Sequence, residues 1–268
     1  MRKQSLAVVV PAYNEADHIR DCINAILHQG DLVDEILIVD NNSTDETAAI
    51  VHAFKSPKIR YLVERRQGVV HARNAGFDAV STDLIGRIDA DTRVHDGWAQ
   101  AIHAHFDDTD SFAAAGVTHI YDSPFAFLHR LIIKRQVKRL RNATNPHVSA
   151  AVGANMAIRT SAWMSVRPHL SDRTDIHEDL DLSFCLRKIG HTISHLPTMQ
   201  ASASARRGVT PPRKYLRYND ASRAVIEHHG LMNRRLSLMI TVDSILHALL
   251  WPAYKVFAPV KARDLPIR

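Results

Sequence analysis

Cysteine is scarce in this chain, with only Cys22 and Cys185 among 268 residues. A disulfide framework is excluded, and no cysteine has zinc-ligand spacing. Both thiols fall in helix-patterned segments, as buried, reduced thiols of a cytosolic protein do. Glycine is missing where phosphate-cradling loops need it. The first strand-like run ends in Pro11-Ala12-Tyr13-Asn14-Glu15, without the Gly-x-Gly-x-x-Gly of a dinucleotide fold or the Gly-Lys-Ser/Thr of a P-loop. A diphosphate here has to be met by something other than a glycine cradle. No nucleic-acid-binding motif, internal repeat or low-complexity segment occurs, and the seventeen histidines show no convincing metal spacing. The N-terminal apolar run stops at Pro11, too short for a signal-peptide core. The expected placement is therefore cytoplasmic, with peripheral contact on the inner face of the cell membrane left open.

Apolar residues make up 46% and charged residues 23%, ordinary for a globular chain with a sizeable core. Lys plus Arg is 34 against 28 Asp plus Glu, a net +6. That mild excess suits an enzyme of anionic substrates or one resting on an anionic membrane. Nucleic acid is not an expected partner.

The first half alternates strand and helix. Leu6–Val10, Glu35–Val39, Ile59–Val63 and Leu84–Ile88 read as strands. Helices are expected from Asn14 as N-cap to about Gln29, from the capping box Ser43-Thr44-Asp45-Glu46 to about Phe54, over 69–80, and over 96–106. Such a βαβα succession implies a mostly parallel, doubly wound sheet. The second half is less regular: a basic amphipathic helix over 124–141, an extended stretch over 148–158, a helix over 177–189, a strand over 191–196, and helices over 211–229 and 236–251.

In open parallel sheets, ligands bind beyond the carboxyl ends of the strands. Three such ends are distinctive here: Pro11-Ala12-Tyr13-Asn14-Glu15, Asp40-Asn41-Asn42-Ser43 and Asp89-Ala90-Asp91. Asp89 and Asp91, two residues apart on an extended chain, point the same way. Their mutual repulsion favours a hard divalent cation, Mg2+ or Mn2+, which shares oxygen ligands with a diphosphate.

Val8-Val9-Val10-Pro11-Ala12-Tyr13-Asn14-Glu15, Ile38-Val39-Asp40-Asn41-Asn42-Ser43-Thr44-Asp45-Glu46-Thr47, Gly68-Val69-Val70-His71-Ala72-Arg73-Asn74-Ala75-Gly76, Asp89-Ala90-Asp91 and His177-Glu178-Asp179-Leu180-Asp181-Leu182 occur in this order. Together they resemble the motifs of family 2 glycosyltransferases of the GT-A fold, over roughly residues 6 to 205. The resemblance implies an α/β GT-A fold, a Rossmann-like, mostly parallel sheet flanked by helices. It implies a catalytic domain over 1–208, with a nucleotide half (1–106) and an acceptor half (107–208), and a C-terminal helical extension over 209–268. The implied activity is metal-dependent, inverting transfer from a UDP- or GDP-linked sugar to a sugar or lipid-linked acceptor, in cell-envelope polysaccharide, glycolipid or glycan synthesis. Carried over by position, Pro11, Ala12, Tyr13, Glu15, Asp40, Asn42, Arg73, Asp89, Ala90, Asn155 and Glu178 contact the nucleotide sugar. Asp91, with Asp89, holds the metal, and Asp179 is the general base.

Two other enzyme or binding classes share parts of this layout. A sugar-phosphate nucleotidyltransferase needs a Gly-rich, Arg-containing loop after the first strand, which Pro11-Ala12-Tyr13-Asn14-Glu15 is not. A non-catalytic homologue has no need of Asp89, Asp91 and Asp179. No Gln-x-x-Arg-Trp signature occurs, which favours single-sugar transfer over polymer synthesis.

Spacing adds an independent reading of the acidic helix. Leu182, Cys185, Leu186 and Ile189 form one apolar stripe, and extending it backward reaches Asp179 and Glu178. Both acids are expected at the inner edge of the helix, with Asp181 off the stripe. Arg206 and Arg207 follow the last expected strand and could close over a diphosphate or be a solvated basic loop. The helices over 124–141 and 236–251 could lie on a membrane or dock on the core; the second falls short of the ~20 clean apolar residues of a bilayer span.

Overall fold

The computed structural model describes residues 3–141, 151 and 153–257. Its centre is an eight-stranded sheet: β1 (Leu6–Ala12), β2 (Glu35–Asp40), β3 (Ile59–Val63), β4 (Leu84–Arg87), β5 (Arg93–Val94), β6 (Ala113–Ile120), β7 (Met156–Arg159) and β8 (Ile193–Ala203). The strand order is β3-β2-β1-β4-β7-β6-β8-β5. β3, β2, β1 and β4 run parallel, and β7 enters antiparallel between β4 and β6. The central strands are almost wholly apolar because both faces of the sheet are covered. Val8 and Val10 face one core with Trp98 and Phe106, whereas Ala7 and Val9 face the other with Phe77 and Trp163.

The first core is closed by α1 (Ile19–Leu27), α2 (Thr47–His52) and α4 (Trp98–Asp108). The second is closed by α3 (Val69–Ala79), α6 (Thr160–Val166) and α7 (Glu178–Lys188). α5 (Ala126–Arg141) leaves the end of β6. α8 (Pro212–His228) and α9 (Arg234–Phe257) pack on each other and, through Val225 and Ile226, on Leu180 and Phe184 of α7. Cys22 and Cys185 are both buried free thiols.

The first four strands and their parallel pairing match the sequence reading, and several boundaries do not. α1 starts at Ile19 rather than after Asn14. Asn14 has left-handed backbone (φ 54°) and caps nothing; its Oδ1 accepts the Thr44 amide at 2.8 Å. Ser43-Thr44-Asp45-Glu46 is not a capping box either. Ser43 Oγ, Thr47 Oγ1 and Asp45 Oδ2 accept the amides of Asn14, Glu15 and Ala16 at 3.0, 2.8 and 3.1 Å. The second motif is therefore a receptacle for the first, and it fixes the loop after β1 without glycine. β6 and α6 were not expected from periodicity, because the alanine-rich run Ala113-Ala114-Ala115 carries little strand signal. α9 is 24 residues long, well beyond the expected 236–251. Of the expected extended stretch, residues 148–150 and 152 lie outside the described residues.

Candidate active site

Loops from the carboxyl ends of β1 and β4 and the start of α3 enclose a cleft of about 270 Å3. Pro11, Ala12, Tyr13 and Glu15 come from the first loop and Asp89 and Ala90 from the second. Thr174 and Ile176 close one side, and Arg206 and Arg207 lie across the opening. Six of the residues assigned to nucleotide-sugar binding thus meet in one place.

The floor is a chain of buried charges. Arg87, at the end of β4, is 1% exposed. Its Nη2 donates to Glu178 Oε1 at 2.9 Å and to Asp89 Oδ1 at 3.0 Å. Gly153 covers the guanidinium, and a Cβ there would lie 1.1 Å from Arg87 Nη1. The Gly153 amide donates to Asp179 Oδ2 at 2.9 Å, and Asp179 Oδ1 accepts the Leu180 amide at 2.8 Å. Asp179 and Asp89 are therefore linked through Gly153, Glu178 and Arg87.

The rim is a second charge group. Arg206 grips Glu15 with two bonds of 2.6 and 2.7 Å and reaches Asp91 Oδ2 at 2.8 Å. Burial pushes the Glu15 carboxyl up to about 7, against the pull of Arg206. Burial likewise raises Asp91, with Arg206 opposing it and Asp89 adding to it. For Arg206, burial alone lowers the pKa, but Asp91 and Glu15 outweigh it and hold the guanidinium well above its usual range. Glu15, Asp89 and Asp91 therefore crowd one site, with Arg206 beside Glu15 and Asp91 and Arg87 beside Asp89. The donor set is hard oxygen, and Asp91 is half-buried with its charge disfavoured. These residues fit a Mg2+ or Mn2+ that takes its remaining ligands from diphosphate and water.

Several assigned residues serve elsewhere. Asn155 is 1% exposed and fully committed: Oδ1 accepts Trp98 Nε1–H at 2.8 Å, and Nδ2 donates to the Val117 and Met199 carbonyls at 3.0 and 2.9 Å. It stitches α4 to the bulge between β6 and β8 and lies outside the cleft lining. Arg73 is 1% exposed, lies against the Trp163 ring at 5.4 Å and donates to Asn74 Oδ1 and the Glu178 carbonyl. Burial lowers its pKa to about 10. It braces α3 against the first turn of α7 and lies outside the cleft lining. Glu178 is a buried support of Arg87 and lies outside the cleft lining. Asp40 is 5% exposed and accepts the Ser43 amide and the Tyr61 hydroxyl. Asn42 donates to the Arg65 carbonyl at 2.7 Å.

Asn41, to which the sequence reading assigned no role, lines the cleft. Its Nδ2 donates to the Glu64 and Arg66 carbonyls and its Oδ1 accepts the Gly68 amide at 2.7 Å, which holds the strip Gln67-Gly68 against the opening. Gly68 has φ 135°, a backbone that disfavours any side chain. Asp181 also departs from expectation. It is 1% exposed, and its Oδ1 meets His229 Nε2 at 2.8 Å. A second face of α7 is covered by α8, which a single-stripe argument cannot see. Asp181, His228 and His229 come within metal-ligand distance of one another, although 48 residues separate Asp181 from His229.

Residues 7–166, more than half of the chain, match the family model described as glycosyl transferase family 2. The chain belongs to glycosyltransferase family 2. Among its relatives, Glycosyltransferase AglE of Haloferax volcanii is 34% identical over 100 residues, 35% of this chain and 33% of the relative. Glycosyltransferase GlyG of Streptococcus pneumoniae is 29% identical over 120 residues, 44% of this chain and 40% of the relative. The chain thus matches about a third to two fifths of the length of these family members. Among solved structures, S. aureus TarS 1–349 in complex with UDP-GlcNAc superposes with a TM-score of 0.64 at 15% identity, covering 96% of this chain and 76% of that one. Mannosyltransferase PcManGT from Pyrobaculum calidifontis, in complex with GDP-Man and Mn2+, gives 0.62 at 17% identity, covering 97% and 77%. At such identities the likeness establishes the shared GT-A fold.

Proposed function

We propose that this family 2 member is an inverting, metal-dependent glycosyltransferase that moves a sugar from a UDP- or GDP-linked donor to a sugar or lipid-linked acceptor hydroxyl. The observation that carries this reading is the convergence of Tyr13, Glu15, Asp89 and Arg206 on one cleft, with Asp179 tied to its floor. The named relatives, and neighbours holding UDP-GlcNAc or GDP-Man with Mn2+, support it. In this reading residues 1–106 form the nucleotide half and 107–208 the acceptor half, with the helices after 208 as an extension.

Pro11, Ala12 and Tyr13 hold the nucleoside against the strip Gln67-Gly68, which Asn41 positions. Asp89 and Asp91 hold a Mg2+ or Mn2+, which supplies Lewis-acid stabilisation of diphosphate charge when bound. Arg206 releases Asp91 as donor enters and turns to the diphosphate oxygens, for which its planar fork is suited. Asp179 accepts the proton of the acceptor hydroxyl as that oxygen attacks the anomeric carbon from the face opposite the leaving group. The nucleoside diphosphate departs with the bonding electrons, and the configuration inverts. Asp179→Asn is expected to keep donor affinity and lose transfer; transfer at wild-type rate removes the base assignment. Asp91→Ala is expected to abolish Mn2+-dependent donor affinity, and unchanged affinity removes the metal assignment.

A further inference from the structure

α9 is apolar on two faces, and the fold uses only one. The inner face sets Leu236 and Ile240 against α8, and Leu250 and Tyr254 against the turn Arg206–Val209. Polar bonds hold it there: Trp251 Nε1 donates to the Val209 carbonyl at 3.1 Å, and His247 bonds the Thr210 carbonyl at 2.8 Å while stacking on Tyr215. The outer face carries Leu238, Val242, Ile245, Leu249 and Val256, each 52–88% exposed. Spaced by three, four and seven residues, they form one stripe along a helix about 36 Å long. α5 repeats the pattern with Phe127, Leu128, Leu131 and Ile132, 40–75% exposed, followed by exposed Lys134, Arg135 and Lys138. Residues 123–141 contain no acid. The two helices adjoin: Phe125 packs on the Tyr254 ring at 5.5 Å, and Ser123 Oγ bonds the Tyr254 hydroxyl at 3.1 Å. Twelve of the sixteen large exposed apolar side chains among the described residues lie on this pair, eight on α9 and four on α5.

We infer that α5 and α9 together form a docking surface for an anionic phospholipid bilayer, with α9 lying in the plane of the interface. An apolar stripe of this extent is not left to water without a partner, and acid-free basic turns beside it match anionic headgroups. α9 is long and apolar enough to cross a membrane by length and composition alone. Spanning, however, requires tearing His247, Trp251 and Tyr254 from their partners on α8 and the turn Arg206–Val209. Lying flat keeps every one of these contacts and buries the outer stripe. The docked helix also neighbours the cleft. The Tyr254 ring fills the space that a Cβ at Gly208 would occupy, next to Arg206 and Arg207. Resting on the reading of that cleft as a glycosyl-transfer site, this placement favours an acceptor presented from the membrane, a lipid-linked hydroxyl.

The test is flotation of the full chain with phosphatidylcholine vesicles, with and without phosphatidylglycerol, alongside donor turnover measured without vesicles. Wild type is expected to float with the anionic vesicles and to be stripped by alkaline carbonate. The L238D/L249D variant is expected to bind about tenfold or more weakly. K134E/K138E is expected to lose only the anionic preference. All these positions are exposed, so melting temperatures and vesicle-free turnover are expected to stay at wild-type values. No binding to anionic vesicles, equal binding by L238D/L249D, retention through carbonate, or a dimer that L249D dissolves without any vesicle binding would each overturn the inference. Lost flotation with Mn2+-dependent donor binding intact sinks the docking surface alone; flotation by a chain that binds no UDP- or GDP-sugar in Mn2+ sinks the cleft reading alone.

Discussion

Glu178 and Arg87 provide the sharpest test of how the site is built. Their side chains are 1% and 2% exposed and meet at 2.9 Å. Replacing Glu178 with Gln keeps shape and one hydrogen bond but leaves the buried guanidinium with only Asp89, which is 35% exposed. Breaking a buried pair from one side costs ~3–5 kcal/mol. Because Asp89 remains, the lower end applies, about 3 kcal/mol. For a chain of this size that is a melting-temperature drop of roughly 6–12 °C. The matched control is Asp175→Asn, which breaks the Arg173–Asp175 pair at 2.6 Å with side chains 46% and 64% exposed. Exposed pairs contribute at most about 1 kcal/mol. Urea unfolding followed by circular dichroism measures both. If Glu178→Gln costs no more than Asp175→Asn, Arg87 is not held as described, and the floor of the cleft must be rebuilt from another interaction. Glu178→Gln is also expected to weaken donor affinity, because Asp89 loses its fixed neighbour; this effect is absent in Asp175→Asn.

Three further outcomes follow from the same geometry. Gly153→Ala places a methyl group on Arg87 and is expected to lower both stability and turnover, read by melting and donor hydrolysis; wild-type values in both would contradict the close approach. Asn155→Ala orphans Trp98 Nε1 and two carbonyls and is expected to cost about 2–3 kcal/mol, with donor KM unchanged in the surviving folded protein; a selective rise in KM for the sugar donor would return Asn155 to the site. Burial holds the His95, His105 and His247 imidazoles below their ordinary value of 6.5. The unfolded chain therefore takes up these protons first, and stability falls as pH drops through 6.5 toward the lower folded values; His247→Gln is expected to flatten that fall, and an unchanged slope refutes the assignment.

The motifs made the catalytic half legible. A continuous apolar run bounded by polar turns marks a strand buried on both faces, so β1, β2 and β4 and the convergence of their ends were readable. The local roles of motif residues were harder to read. Ser43 and Glu46 match a capping box in spacing, yet Ser43, Asp45 and Thr47 receive the amides of 14–16, because the loop after β1 has no glycine and needs acceptors from a neighbour. Asn155 and Arg73 look like ligand-binding groups by type. Their burial depends on where α4 and α6 pack, which spacing along the chain does not encode. Asp181 shows the same limit, since its partner His229 arrives from just beyond the end of α8. The apolar stripe that runs from Glu178 to Ile189 faced inward as expected, because a single helix face is a local property.

The central claim, that this cleft turns over a nucleotide sugar, is tested most directly by measuring nucleoside diphosphate release from a panel of UDP- and GDP-sugars in Mn2+, with wild type and Asp179→Asn side by side. Wild type is expected to release nucleoside diphosphate from at least one donor, and Asp179→Asn to bind that donor without releasing it. Release at equal rates by both proteins, or no binding of any donor by wild type in Mn2+, would contradict it.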